Sequence, residues 1–381
     1  MLSFWEKNTF LQYDYIVVGG GIVGLSTAIA VKEKQPAAQV LVLERGLFPS
    51  GASTKNAGFA CFGSLTELLV DIEQMGEEAA LALVKMRWQG LQLLRERLGD
   101  ENFGFLQQGG YELIREAEEP ALEKMGEVNA LLEPLFQQTV FREAPEKIKE
   151  FGFKQEQIRN VVYNPLEGQV DTGLMMRQLI ALAQEKGIRL LTGVQVQKLE
   201  EEEQRVVVQV QNPVSAEPVF FSAPKVAICT NAFSRQFLPD IALEPGRGQV
   251  LVTEPIEKLK FKGVFHYDEG YYYFRNYGKR VIFGGGRNLD FERENTTELN
   301  LNQRIQEALE QQLREIILPD QPFTIAHRWS GIMAFGPDKQ PVLRKIGERM
   351  VAGIRLGGMG VAIGSGMGAA VARLLTGEKA A

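Results

Sequence analysis

Tyr15-Ile16-Val17-Val18-Gly19-Gly20-Gly21-Ile22-Val23-Gly24 decides the fold of this 381-residue chain. Four apolar residues lead into three glycines, and a fourth glycine follows three positions later. The spacing predicts a strand, a sharp turn and a helix. Gly19 permits the turn, Gly21 lets the backbone approach a pyrophosphate, and Gly24 lets the helix press on the sheet while its N-terminal amides face the anion. A second apolar run, Val40 to Leu43, ends at Glu44, twenty residues beyond Gly24. An acid there closes the second strand and accepts hydrogen bonds from a ribose hydroxyl. With the small residues Ala28 and Ala30 between, the whole pattern predicts a dinucleotide site.

Composition narrows what else the chain does. With 45% hydrophobic residues it has material for a sizeable core, and its length predicts two or three domains. The formal charge of −6 is spread along a mixture of acids and bases, so no electrostatic footprint for nucleic acid exists and a small ligand is expected. The uncharged stretch from Tyr15 to Val31 is shorter than the roughly 20 residues of a membrane span and contains four glycines. No basic segment precedes an apolar one at the start, so a cytoplasmic location is expected. Cys61 and Cys229 stand far apart without metal-ligand spacing and are expected as buried thiols. His266 and His327 are the only histidines, so no metal site is expected and the difficult chemistry is assigned to a bound cofactor.

Beyond the opening unit, Ser50 to Gly58 is small and polar, either a loop lying against a ligand or a plain linker. Ser64 to Leu98 has helical spacing broken near Gly76, Tyr111 to Ile114 reads as a strand, and Glu116 to Lys149 is charged and helix-biased. Asp171 offers an N-cap to a helix that Gly187 stops before a strand at Ile188 to Leu191. Glu200 to Glu203 reads as a solvated turn between strands, and Lys225 to Cys229 as another apolar strand. Gln249 to Thr253, Tyr271 to Phe274 and Arg280 to Phe283 suit an antiparallel sheet, with a helix at Asn300 to Leu313. A second glycine-rich turn, Gly357-Gly358-Met359-Gly360, precedes a C-terminal apolar helix. One nucleotide needs one such turn, so two predict a long cofactor.

Four blocks carry a resemblance over nearly the full length. They are Asp14 to Gly24 with Glu44; Gly51 to Gly58; Glu167 to Asp171 with its helix; and Trp329-Ser330-Gly331-Ile332-Met333 with Pro337-Asp338 and Gly357 to Gly360. In these the chain resembles the D-amino-acid oxidase-like FAD-dependent oxidoreductases, a group that includes glycine and sarcosine oxidases and γ-glutamylputrescine oxidoreductases. The resemblance implies an α/β fold, α+β overall, with a Rossmann-like FAD-binding domain (1–62, 150–235 and 325–381) interwoven with an antiparallel-sheet substrate domain (63–149 and 236–324). It implies FAD held along Gly19, Gly21, Ile22, Val23, Gly24, Glu44 and Arg45. Further contacts are implied at Ser53, Thr54, Asn56, Ala57, Gly58, Val196, Thr230 and Asn231, and at Gly331, Gly358, Met359, Gly360 and Val361. Some relatives attach flavin through a His in the first loop or a Cys near the C-terminal turn. Asn56 stands at the first position and no Cys follows Cys229, so noncovalent FAD is expected.

The implied reaction is hydride transfer from a carbon bearing nitrogen, or oxygen in some members, to the flavin, giving an imine that hydrolyses. Amino-acid-oxidising relatives place an arginine two residues after the glycine of the Trp block, where this chain has Met333. A lost charge-assisted contact is worth about 1.5 to 3 kcal/mol, so either another arginine substitutes or the substrate lacks a neighbouring carboxylate. Arg275 is the expected replacement, with Arg247 and Arg328 behind it. Tyr272 and Tyr273 belong either to sheet packing or to an aromatic wall of the substrate pocket, which Met333 also lines. His266 and His327 read as structural or surface residues, with a general-base role as the alternative. Oxidation of an amine or amino acid is the first reading, 2-hydroxy-acid oxidation the second and a non-catalytic flavin-binding role the third. The electron acceptor is not specified by the sequence.

Overall fold

Strand Tyr15–Val18 is buried along its whole length, as an apolar run must be when structure covers both faces of a parallel sheet. The computed structural model, which describes residues 1–212, 214–215 and 217–377, places it centrally among six strands. Their order is 342–346, 350–354, 225–228, 15–18, 40–43 and 189–191. Tyr15 to Val18 pair in parallel with Lys225 to Ile228 on one side and Val40 to Leu43 on the other. Only the edge strand Val342–Ile346 runs antiparallel. Helices Ile22–Lys34, Thr172–Glu185 and Gly360–Thr376 bury one face of this sheet.

Close helix crossing aligns two of these helices. A Cβ at Gly364 would stand 2.4 Å from Ile22 Cγ2, and one at Gly368 would stand 2.5 Å from Ser26 Cβ. Glycines one turn apart thus let the C-terminal helix lie directly on helix Ile22–Lys34, bringing both N-termini to one groove.

The second sheet has eight strands in the order 325–335, 244–253, 280–285, 272–277, 264–267, 110–114, 160–164 and 142–143. All neighbours are antiparallel except 264–267 with 110–114. One face packs an aromatic core in which Phe265 and Phe274 stack at 4.6 Å. Two expectations are corrected here. Strands Asn160–Asn164 and Ile325–Phe335, assigned from sequence to the FAD-binding segments, pair into this sheet, the latter along the whole of Glu244–Thr253. Glu200 and Glu201 are strand residues paired with Val207 and Val206, so the turn between the hairpin strands is shorter than expected.

Glu112, buried on strand Gly110–Ile114, accepts hydrogen bonds from the Leu65 and Thr66 amides at the start of helix Leu65–Met75. Burial, partly offset by hydrogen bonds from Thr66 and Ser64, pushes its carboxyl up from 4.5 to about 7. A raised carboxyl pKa favours the folded state fully below the unfolded value and loses that advantage as pH rises through the folded one. Stability is therefore expected to decline between pH 4.5 and 7, by about 3 kcal/mol for a shift of this size. Denaturant titrations across that window check this, and Glu112→Gln should flatten the decline. Among the described residues no helix is long and apolar enough to cross a membrane.

Candidate active site

The two helix N-termini and the loops around them enclose a cavity of about 590 Å³, within the usual range of cofactor pockets. At one end Gly19 has φ +106°, and a Cβ there would stand 2.5 Å from Cys229 O. At Gly24 a Cβ would stand 1.8 Å from Gly19 O. Gly24 thus lies beneath the cavity and supports it, while Gly19, Gly21, Ile22 and Val23 line it. The Ile22 amide donates to Ser53 Oγ at 2.9 Å, joining the helix start to the 52–58 loop.

Glu44 also lines the cavity. Its carboxylate accepts from the Gly20 amide at 2.9 Å and the Gly46 amide at 2.8 Å, which fixes its orientation and leaves acceptor capacity for a diol. Arg45 lies 3.6 Å from the Phe233 ring centroid, and Val196, Thr230 and Asn231 complete this end. Asn231 tolerates φ +45° and accepts the Arg355 amide at 3.0 Å.

At the other end, Gly357 (φ +56°) and Gly358 (φ +85°) turn the chain into helix Gly360–Thr376, so that Gly358, Met359, Gly360 and Val361 face the cavity. Arg355 holds this turn, donating to Gln340 O at 3.0 Å and to Asp338 Oδ1 at 2.6 Å, which accounts for Pro337-Asp338 in the recognised block. Asn56, Ala57 and Gly331 line the cavity beside it. The Asn56 side chain donates to Ala52 O and Ser53 O and accepts from the Gly58 amide, so the loop is internally tied. Trp329 Nε1 anchors the same loop at Lys55 O, 2.8 Å away. Glycine turns that a Cβ would fill, two convergent helix N-termini and an oriented acid at the second strand fit an extended dinucleotide such as FAD.

Strand alternation sorts the tyrosines. His266, Tyr273, Gly284 and Val250 pair across neighbouring strands, and all but Gly284 line the cavity. Tyr272 points to the opposite face and stacks on Tyr267 at 5.0 Å, so its expected pocket role is corrected to core packing. Burial pushes the Tyr273 phenol up to about 12, leaving it a neutral hydrogen-bonding group. Met333 lines the chamber, its Cε 2.9 Å from where a Gly248 Cβ would be.

Three more expectations fail for physical reasons. Arg275 is 3% exposed and gives its donors to Ala57 O, Val170 O and Gln169 Oε1, so it is a structural clamp with no face to a substrate. Thr54 spends its hydroxyl on Pro49 O at 2.7 Å, outside the cavity. Gly58 lies behind the wall, where a Cβ would strike Val170 O at 2.4 Å. The reserve arginines are also occupied: Arg247 pairs with Glu294 at 2.7 Å, and Arg328 bonds Gln306 and Glu310. Arg287, which the sequence reading passed over, lines the chamber. Its only local signal is its place directly after Gly284-Gly285-Gly286 at a strand end.

His266 is buried at the chamber edge, 3.7 Å from Glu167 Oε2 and with its ring 5.2 Å from that of Phe59. Burial opposes its charge, but the neighbouring Cys61 and Glu167 side chains hold its pKa above the ordinary value, while its Nε2 makes no hydrogen bond. His327 is exposed on its strand, stacked against Trp329. Cys61 and Cys229 are both free and buried.

Residues 14–374 match the model of the DAO family, described as FAD dependent oxidoreductase. The chain belongs to this family. It is an FAD-dependent oxidoreductase, and FAD is its cofactor. The bifunctional protein ThiO/ThiG of Trichormus variabilis is 27% identical over 345 residues, covering 87% of this chain. The chain spans 47% of that relative's length, about half of the curated relatives it matches. Among solved structures, L-proline dehydrogenase from P. horikoshii superposes with a TM-score of 0.77 at 20% identity, covering 97% of this chain and 95% of its own. Glycine oxidase from Geobacillus kaustophilus gives 0.75 at 19% identity, covering 97% and 96%. These share the fold of the oxidoreductase.

Proposed function

We propose that this oxidoreductase oxidises the carbon–nitrogen bond of a small amine or amino acid, with FAD held noncovalently. The observation that carries the reading is the chamber beside the second glycine turn, walled by Tyr273, Met333 and Phe59 and continuous with the nucleotide groove. Fold relatives named for proline and glycine oxidation add support, since both substrates present an oxidisable carbon–nitrogen bond. FAD, when bound, supplies the two-electron acceptor.

The chain's own residues hold, orient and dry the site. Gly21, Val23 and the 358–361 turn would hold the diphosphate and ring through backbone donors, Gly19, Ile22 and Ser53 would line that path, and Glu44 would hold the ribose. The aromatic and thioether walls exclude water, and the neutral Tyr273 hydroxyl is placed to hydrogen-bond a substrate heteroatom. Asn56 in the first loop and the lack of any cysteine after Cys229 support noncovalent attachment.

The test is anaerobic mixing of the purified yellow protein with amines, amino acids and 2-hydroxy acids. Bleaching by one or more amines or amino acids is expected. Bleaching by 2-hydroxy acids alone overturns the reading. Acid precipitation should release the chromophore into the supernatant.

A further inference from the structure

We propose that Arg287 is the anion-binding residue of the chamber and that the substrate carries a carboxylate seated against it, a proposal resting on the carbon–nitrogen oxidation above. Gly246 and Gly248 sit two apart on strand Glu244–Thr253 and present one face to the site. A Cβ at Gly248 would stand 2.9 Å from Met333 Cε and 3.7 Å from the Tyr273 hydroxyl. At Gly246 it would stand 3.0 Å from Arg287 Cζ. Met333 pairs with Gly246 across the strands and its Cε reaches over Gly248, so the guanidinium lies beside the strand position that carries Met333 and one strand repeat, about 7 Å, along the glycine floor from the Met333 thioether end.

Its charge is unspent. Arg287 donates through Nη2 to Asn295 Oδ1 at 2.5 Å, while its Nε is buried without a partner. Among the described residues no carboxylate forms an ion pair with it. The nearby Glu294 is taken by Arg247 at 2.7 Å, Asn302 at 2.8 Å and Gln249 at 3.0 Å. Phe335 and Phe291 hold the guanidinium plane, their ring centroids 4.4 and 4.9 Å away, which leaves its edge donors for a planar carboxylate. Burial also lowers its pKa from the ordinary guanidinium value, a cost that a bound anion offsets.

The other cations of the cavity are placed differently. Lys339 pairs with Asp71 at 2.6 Å, His266 has Glu167 Oε2 at 3.7 Å, and Arg45 stacks on Phe233 at the nucleotide end. Lys55 has no carboxylate partner among the described residues, but its Cβ is 3.0 Å from where a Gly331 Cβ would be, on the neighbouring strand. Lys55 is therefore the competitor for the role.

The experiment uses the FAD-loaded protein and two readouts. The first compares turnover of proline, N-methylglycine and iminodiacetate with their methyl esters. The second follows the melting temperature with acetate or acetamide, which needs no turnover. Wild type should prefer acids and gain stability from acetate alone. In Arg287→Gln, KM for acids should rise about 10- to 150-fold with kcat little changed, ester turnover should persist and the acetate effect should vanish. Arg287→Lys should restore much of the acid preference, and Lys55→Gln should leave it intact.

Equal use of acids and esters by wild type overturns the proposal, as does an acid preference that survives Arg287→Gln or disappears in Lys55→Gln. If no amine or amino acid bleaches the flavin, the oxidation reading fails. The acetate shift in wild type against Arg287→Gln and Arg287→Lys then still decides whether Arg287 binds the anion.

Discussion

Gly24→Ala is expected to weaken FAD binding about 100-fold or more and to lower the yield of soluble protein. The added Cβ would stand 1.8 Å from Gly19 O, 3.0 Å from Gly19 C and 3.3 Å from Val17 Cγ1. Two of these are backbone atoms of the turn that faces the cavity, so no side-chain rotation relieves the overlap. Either helix Ile22–Lys34 lifts from the sheet or the Gly19 turn moves, and the glycine crossing at Gly364 and Gly368 transmits the first displacement to the C-terminal helix. Overpacking of this kind costs about 1–3 kcal/mol or more, and here the strain falls on both dinucleotide-holding turns together. Flavin fluorescence quenching on titration of the apoprotein measures the effect, with a loss of about 100-fold or more in affinity expected, equivalent to about 3 kcal/mol. Gly126→Ala is the control: Gly126 lies in helix Met125–Phe136, outside the cavity, with nothing within 4 Å of an added Cβ, so binding should be unchanged. Wild-type affinity in Gly24→Ala would remove the close-approach account of the cradle.

That cradle was legible because its determinants are local. A strand, a glycine turn and an acid twenty residues on are read along one stretch of chain, and the cavity holds Gly19, Gly21 and Glu44 together. The second glycine turn was equally legible, being a helix start with its own spacing. The substrate side was not, because its determinants are pairings between distant segments. Period-two alternation separates Tyr272 from Tyr271 and Tyr273, but which face is core depends on neighbours that the strand does not encode. Strand Ile325–Phe335 has the same apolar look in either sheet, and its place is fixed by a register with residues 244–253.

The arginines show the same limit more sharply. Arg275, Arg247, Arg328 and Arg287 are indistinguishable as residue types. Arg247 is neutralised by a glutamate 47 positions away, and Arg328 by the helix Gln303–Gln312. Freedom from a carboxylate partner is a property of the folded contacts, so the chamber guanidinium, bonded to Asn295 and without an ion pair among the described residues, surfaced only in the structure.

Arg275→Ala is expected to destabilise the protein by about 3–5 kcal/mol and to release FAD, without acting on substrate selectivity. The guanidinium joins strand Tyr272–Tyr277 to Ala57 O in the 52–58 loop and to Val170 O and Gln169 Oε1 in the Glu167–Asp171 block. Two of these acceptors are main-chain carbonyls in a region that water does not reach, and Gly58 is close enough that an added Cβ would meet Arg275 Nη2 at 2.6 Å. Alanine strands them, at about 1–3 kcal/mol for each acceptor left unsatisfied, and opens a void where the side chain lay. Asp171, whose Oδ1 caps helix Thr172–Glu185, also accepts from the Tyr277 hydroxyl at 2.9 Å, so loosening propagates from the loop to the helix start. Urea denaturation of apo and FAD-loaded protein measures the loss, and both midpoints should fall. A substrate clamp makes the opposite prediction: unchanged midpoints and retained flavin, with a KM increase confined to carboxylates. The buried carbonyl contacts place Arg275 on the stability side of that contrast, and they explain why a cofactor loop and a substrate strand far apart in sequence move as one unit.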